Sequence, residues 1–119
     1  MGKEVVTNLG RIYLSEDVIA TMAGVACTEC YGIVGMASSR LQDGLADLLG
    51  RESLSKGVQV LLEGDSVEIL LYIVVGYGTR ISEIAKNVSD KVRYVIESQT
   101  GLTVRAVHIR VQGVKLTAH

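Results

Sequence analysis

The stretch from Gly57 to Gly78, GVQVLLEGDSVEILLYIVVGYG, alternates its side chains about the pair Gly64-Asp65. A two-residue turn at that pair sets Leu62 opposite Val67, Val60 opposite Ile69 and Val58 opposite Leu71. All six then share one face, joined by Ile73 and Val75. A slip of one residue would send half of them to the other side, so the pattern fixes both the hairpin and its register. The opposite face holds Gln59, Leu61 and Glu63 on one strand and Glu68, Leu70, Tyr72 and Val74 on the next.

On either side of this hairpin the period changes from two to that of a helix. Ser15 is a good N-cap, and Glu16 and Asp17 complement the positive end of a helix that starts there. Val18, Ile19, Met22, Val25, Ala26 and Cys30 follow as its apolar stripe, and Gly32 stands where a left-handed C-terminal residue belongs. The tetrapeptide IVGM (33–36) is then a short extended piece. A second helix spans 80–99, with Thr79 as N-cap, Gly101 as its stop and a stripe of Ile81, Ile84, Ala85, Val88, Val92, Val95 and Ile96. Its other face carries opposite charges three and four residues apart, as a solvated helix face does.

Four segments complete the chain. Residues 1–9 read as a short lead-in to a single domain over 10–119. The piece RIYL (11–14) sets Ile12 and Leu14 against Arg11 and Tyr13. Residues 103–114 alternate Val107, Ile109 and Val111 against Ala106, His108 and Arg110, a final strand. Between 37 and 56, Leu41, Leu45, Leu48 and Leu49 suggest a short amphipathic helix laid as a flap over the core. The order is β-α-β-β-α-β, which predicts an α+β domain: a small sheet with a central hairpin and both main helices on one face.

Composition narrows the picture. The chain has 119 residues, enough for one core, and it lacks Phe, Trp and Pro, so that core is aliphatic. Twelve basic residues against thirteen acidic ones argue against nucleic acid as a partner. No apolar run reaches the ~18 residues of a membrane span, so direct membrane insertion is not expected and a cytoplasmic protein is.

Candidate chemistry is sparse. Cys27 and Cys30 form a C-x-x-C, but late in their helix, whereas redox pairs of this kind use a helix N-terminus to stabilise the thiolate. On a helical wheel Cys30 lies at the edge of the apolar stripe and Cys27 further round, which makes both small packing residues. A zinc site needs four ligands, and only His108 and His119 could add to the cysteines, so no metal is expected. GRESLSKG (50–57) lacks the glycine that a phosphate loop needs before its lysine. GIVG (32–35) has the spacing of an RNA-backbone clamp without a basic surface around it. With no nucleophile paired to His108, no catalytic residue and no cofactor site emerge, and the protein is not expected to be an enzyme.

What remains is the second face of the hairpin. With both helices on the other side, Leu61, Leu70, Tyr72 and Val74 would form an exposed apolar strip, rimmed by glutamates, His108 and Arg110. A strip of a few hundred Å2 is about where exposed surface begins to signal an interface. These six residues are the candidate interaction face.

Five stretches also carry a family resemblance: GRIYLSEDVIATMAG (10–24), YGIVGM (31–36), LSKGVQV (54–60), LYIVVGYGTRISEIAKNV (71–88) and TGLTVRAVHIRVQGV (100–114). In order and over almost the whole chain, they resemble the alkaline shock protein family of Gram-positive bacteria, in particular its short, YloU-like members. The resemblance implies a small α+β domain without known catalytic activity or catalytic residues. It implies a role in cell-envelope stress homeostasis, which larger members perform at the inner face of the membrane through a membrane-anchored partner. For short members it implies a looser link to fatty-acid metabolism. The expected function is therefore a scaffold that self-associates and docks on a protein partner. The alternative is a regulatory or ligand-sensing subunit for fatty-acid metabolism.

Overall fold

The computed structural model describes residues 2–38 and 51–116. In chain order its elements are β1 (Gly2–Thr7), β2 (Gly10–Ser15), α1 (Glu16–Thr28), β3 (Ile33–Met36), β4 (Val58–Glu63), β5 (Ser66–Gly76), α2 (Ile81–Thr100) and β6 (Thr103–Lys115). A 3-10 segment, Arg51–Gly57, precedes β4. The α+β reading holds, with α1 and α2 packed on the same face of the sheet.

The central hairpin has the register that the alternation requires. Val58 lies opposite Leu71, Val60 opposite Ile69 and Leu62 opposite Val67. Gly64 adopts φ 59° in the turn, a conformation that a side chain disfavours. β5 is the sheet's axis. β6 runs parallel to it along one edge, from Ser66↔Thr103 to Gly76↔Lys115. A parallel neighbour requires a crossover, and α2 supplies it. The other edge of β5 is shared, with β4 along residues 66–71 and β3 along residues 73–75.

β3 and β4 lie end to end. Met36 is opposite Ile73, the Ala37 N–H donates to the Tyr72 carbonyl at 2.9 Å, and Val58 is opposite Leu71. The chain thus leaves the β5 edge after Ala37 and rejoins it one register position later, at Val58. The flap expected over 37–56 falls on this excursion, and its leucines 41, 45, 48 and 49 lie outside the described residues. Leu54 of the 3-10 segment is buried against α1, where Gly24 leaves room for it. A Cβ on Gly24 would stand 3.2 Å from the Leu54 Cβ.

α1 is capped as expected, with the Ser15 hydroxyl accepting from the Val18 N–H at 3.2 Å. Its buried side differs from the predicted stripe. Ile19, Ala20, Ala23, Gly24, Ala26 and Cys27 face inward, while Val18 and Val25 are exposed. Small residues let α1 approach α2 and the 3-10 segment closely, and close packing outweighs the larger apolar area of the two valines. α2 buries Ile84, Val88, Val92 and Ile96 of its predicted stripe, while Ile81, in its first turn, is exposed. Its N-cap is Arg80, one residue beyond Thr79, whose hydroxyl instead donates to the Gly76 carbonyl at 2.6 Å and closes the turn after β5. Gly101 ends α2 in the left-handed conformation, its N–H bonded to the Glu97 carbonyl.

Two other expectations change. α1 stops at Thr28, before Gly32. Gly32 takes φ 90° in the turn into β3, where a Cβ would collide with Ile84 Cδ1 and lie 2.9 Å from its Cγ1. Residues 2–7, expected as a lead-in, form β1, which pairs with β2 from Gly2↔Ser15 to Thr7↔Gly10. The RIYL strand therefore belongs to a separate two-stranded hairpin and not to the main sheet. Beyond that pairing, the hairpin touches the body chiefly at the start of α1.

Candidate interaction face

Alternate residues of β5 point away from the helices. On that side Glu68, Leu70, Tyr72 and Val74 stand beside Ala106, His108, Arg110 and Gly113 of β6. β4 adds Gln59, Leu61 and Glu63. The six candidate residues are therefore gathered on one side of the sheet, but they do not form one exposed strip. Tyr72 is 8% exposed and Val74 5%, packed in a small second core with the fully buried Ala37 and with Val34 and Leu70. Their expected exposure is corrected by the path of the chain beyond β3. Ala37 continues along the β5 edge, and with Val34 it is laid against both side chains. Leu61, at 57% exposed, is the open apolar residue, with Leu70 half-buried beside it. His108 and Arg110 are exposed, Arg110 across from Tyr72.

The turn end of this face is electrostatic. Arg105 Nη1 pairs with Glu63 Oε1, and its Nη2 lies 2.9 Å from Glu68 Oε2. His108 Nε2 lies 3.2 Å from Glu68 Oε1, so Glu68 bridges a guanidinium and an imidazole. The hydrogen bond to Glu63, with the charges of Glu63 and Glu68, pushes the Arg105 pKa further up, and the group is a fixed cation.

Alternation alone did not reveal Arg105, because counting back from Val107 puts it on the helix side. A bulge between Val67↔Val104 and Glu68↔Ala106 reverses that assignment. The signal was the spacing of Val104 and Val107. Both face the core, and three residues apart they cannot do so in a regular strand.

The two cysteines exchange the places the wheel gave them. Cys27 is fully buried and Cys30 partly so, following from the turn of α1 toward its small residues. Burial first, and then the neighbouring Cys30, push the Cys27 thiol up to about 12. The Cys30 thiol is also raised, by burial against a lowering influence of Lys91, and its Sγ donates to the Ala26 carbonyl at 3.6 Å. Neither environment favours a thiolate. Among the described residues no group of three or more His, Cys, Asp or Glu is placed to hold a metal ion. Nor is any described helix long and apolar enough to cross a membrane.

Along β4 runs an open groove of about 770 Å3. It reaches round the strand, taking Val58 and Val60 from one face and Gln59 and Leu61 from the other. Glu16 and Asp17 at the start of α1 form one wall, and Glu68 and His108 another.

Comparison with known proteins finds relatives along nearly the whole chain. The chain is 50% identical over 118 residues to the uncharacterized protein YloU of Bacillus subtilis, covering 98% of each. It is 43% identical over 111 residues to the uncharacterized protein Spy1614 of Streptococcus pyogenes, covering 92% of each. A third relative, the uncharacterized YqhY of Bacillus subtilis, is 29% identical over 109 residues, 92% of this chain and 80% of that one. A solved MamM-CTD variant matches at a TM-score of 0.48 and 9% identity, over 87% of this chain and 95% of that one, too distant to bear on function. With its residues 4–116 matched by the model of the alkaline shock protein 23 family, described as having a cell envelope-related function, the chain belongs to that family.

Proposed function

We propose that the protein is a non-enzymatic interaction module of the cell envelope, one that self-associates and docks on a protein partner, the partner held at the inner face of the membrane. The carrying observation is the sheet face opposite the helices. It presents Leu61 to solvent beside the cluster of Glu63, Arg105, Glu68 and His108, an apolar anchor with a charged rim. Rims of this kind select partners by charge complementarity, while the apolar centre supplies affinity. The family's envelope-related description supports the setting.

The alternative, a ligand-sensing subunit for fatty-acid metabolism, is less favoured. The groove beside β4 is the natural place for such a ligand, but Glu16, Asp17 and Glu68 line it and would repel a fatty-acid carboxylate. The test is a Leu61→Glu, Arg110→Glu variant. Both side chains are exposed, so stability should change by less than ~0.5 kcal/mol. Sedimentation of the purified proteins and capture of envelope partners should both weaken. A variant that assembles and captures partners as the wild type does would refute this face as the docking surface.

A further inference from the structure

We propose that the β1–β2 hairpin is a docking arm that seats along the free edge of β4 in a second copy of this chain. This rests on the self-association reading above and names the elements that would perform it.

The first observation is the arm itself. Its two strands form a sheet of their own, and its contact with the body is chiefly at the root, where β2 runs into α1. Its register puts Val6 and Tyr13 on one side of the ladder and Ile12 on the other. All three are open to solvent, Tyr13 at 71%, Val6 at 68% and Ile12 at 50%. A two-stranded hairpin in water is marginal by itself, and apolar side chains on both of its faces make the isolated state worse. An arm of this kind gains stability from a surface that covers it.

The second observation is the receiving edge. Among the described residues β4 pairs with β5 alone, so its outer edge offers a row of backbone donors and acceptors. The groove follows that edge and reaches both faces of the strand, the shape left when a sheet lacks its next member. β2 and β4 are each six residues long, so both span about 20 Å.

Area points to a second copy as the occupant. Val6, Ile12 and Tyr13 expose on the order of 350 Å2 per arm. Reciprocal seating of two arms, counted on both partners, would hide on the order of 1,400 Å2, within the ~1,200–2,000 Å2 class of stable interfaces.

The experiment compares the full-length wild type with an Ile12→Glu, Tyr13→Glu variant and a milder Ile12→Ala, Tyr13→Ala variant. Each is followed by sedimentation velocity and amide hydrogen exchange from low to high micromolar concentration, with circular dichroism as the check on folding. The expected result is a wild type that dimerises, with exchange at residues 58–63 slowing by about tenfold or more as dimer forms. The glutamate variant should stay monomeric with fast exchange at 58–63, and the alanine variant should fall between. A wild type that dimerises while both variants dimerise equally overturns the arm and leaves self-association standing. Protection of 58–63 that is independent of concentration overturns the second copy as occupant, since the edge would then be covered from within its own chain. A wild type that remains monomeric throughout removes the arm proposal together with self-association.

Discussion

The two faces of β5 are made by one strand with the same backbone, yet they are finished differently. Val67, Ile69, Leu71, Ile73 and Val75 point to the helices and are all essentially inaccessible to water. Glu68, Leu70, Tyr72 and Val74 point the other way and grade from charged to sealed within four alternate positions. The helix face is closed by two long elements that run across it, so its burial is uniform. The opposite face is closed only where the chain after β3 lies against it, around Ala37. Local cover, not side-chain type, decides which apolar residue is core and which is surface: Leu61 and Tyr72 were equivalent in the alternation and have opposite fates.

The largest expected effect comes from placing a charge where that second face is sealed. Tyr72→Glu buries a carboxylate among Ala37, Val34 and Leu70 and should cost several kcal/mol, about 3 or more, in urea denaturation. A loss below about 1 kcal/mol would show the Tyr72 half to be as open as the Leu61 half, and the contrast would collapse. Next comes Gly32→Ala, which tests how tightly the helix face is fitted. The φ of 90° and the collision with Ile84 predict a loss of about 2 kcal/mol, read as a lower denaturation midpoint without a change in slope.

The last effect, absent at neutral pH and confined to alkaline solution, concerns Cys27, buried on the helix face. In the fold its thiol keeps the proton up to about 12, against an ordinary value of 9.0. Below pH 9 both the folded and the unfolded chain hold that proton, so this group adds no pH dependence. Between 9 and 12 only the unfolded chain releases it, and stability should fall by up to about 1.4 kcal/mol per pH unit. Cys27→Ala should flatten that alkaline decline, and a decline identical in both proteins would remove the burial argument for the thiol.

The region around the hairpin was legible because two independent constraints agree there. A turn at Gly64-Asp65 and an alternation of period two admit one register. The α2 stripe was equally legible, since its four buried residues recur at a spacing of four. α1 was read with its buried side rotated, because valines outrank alanines by hydrophobicity while the close approach of Leu54 and α2 selects for smallness. Of the candidate face, its membership on one side of the sheet was legible. Its division into sealed and open halves was not, nor was Arg105, which a bulge carries across the strand.

By itself, then, the sequence determined much that depends on neighbours along the chain: the register of the central hairpin, the cap at Ser15, the stop at Gly101, and the order of the elements from α1 to β6. Tertiary structure alone decided what depends on distant segments meeting. It joined β3 and β4 end to end on one edge of β5, sealed Tyr72 under Ala37, left Leu61 open, and set the first hairpin apart from the sheet. Periodicity records which side a residue points to, because backbone geometry repeats locally. Whether anything lies on that side is settled by packing between elements far apart in sequence, and no local period encodes it.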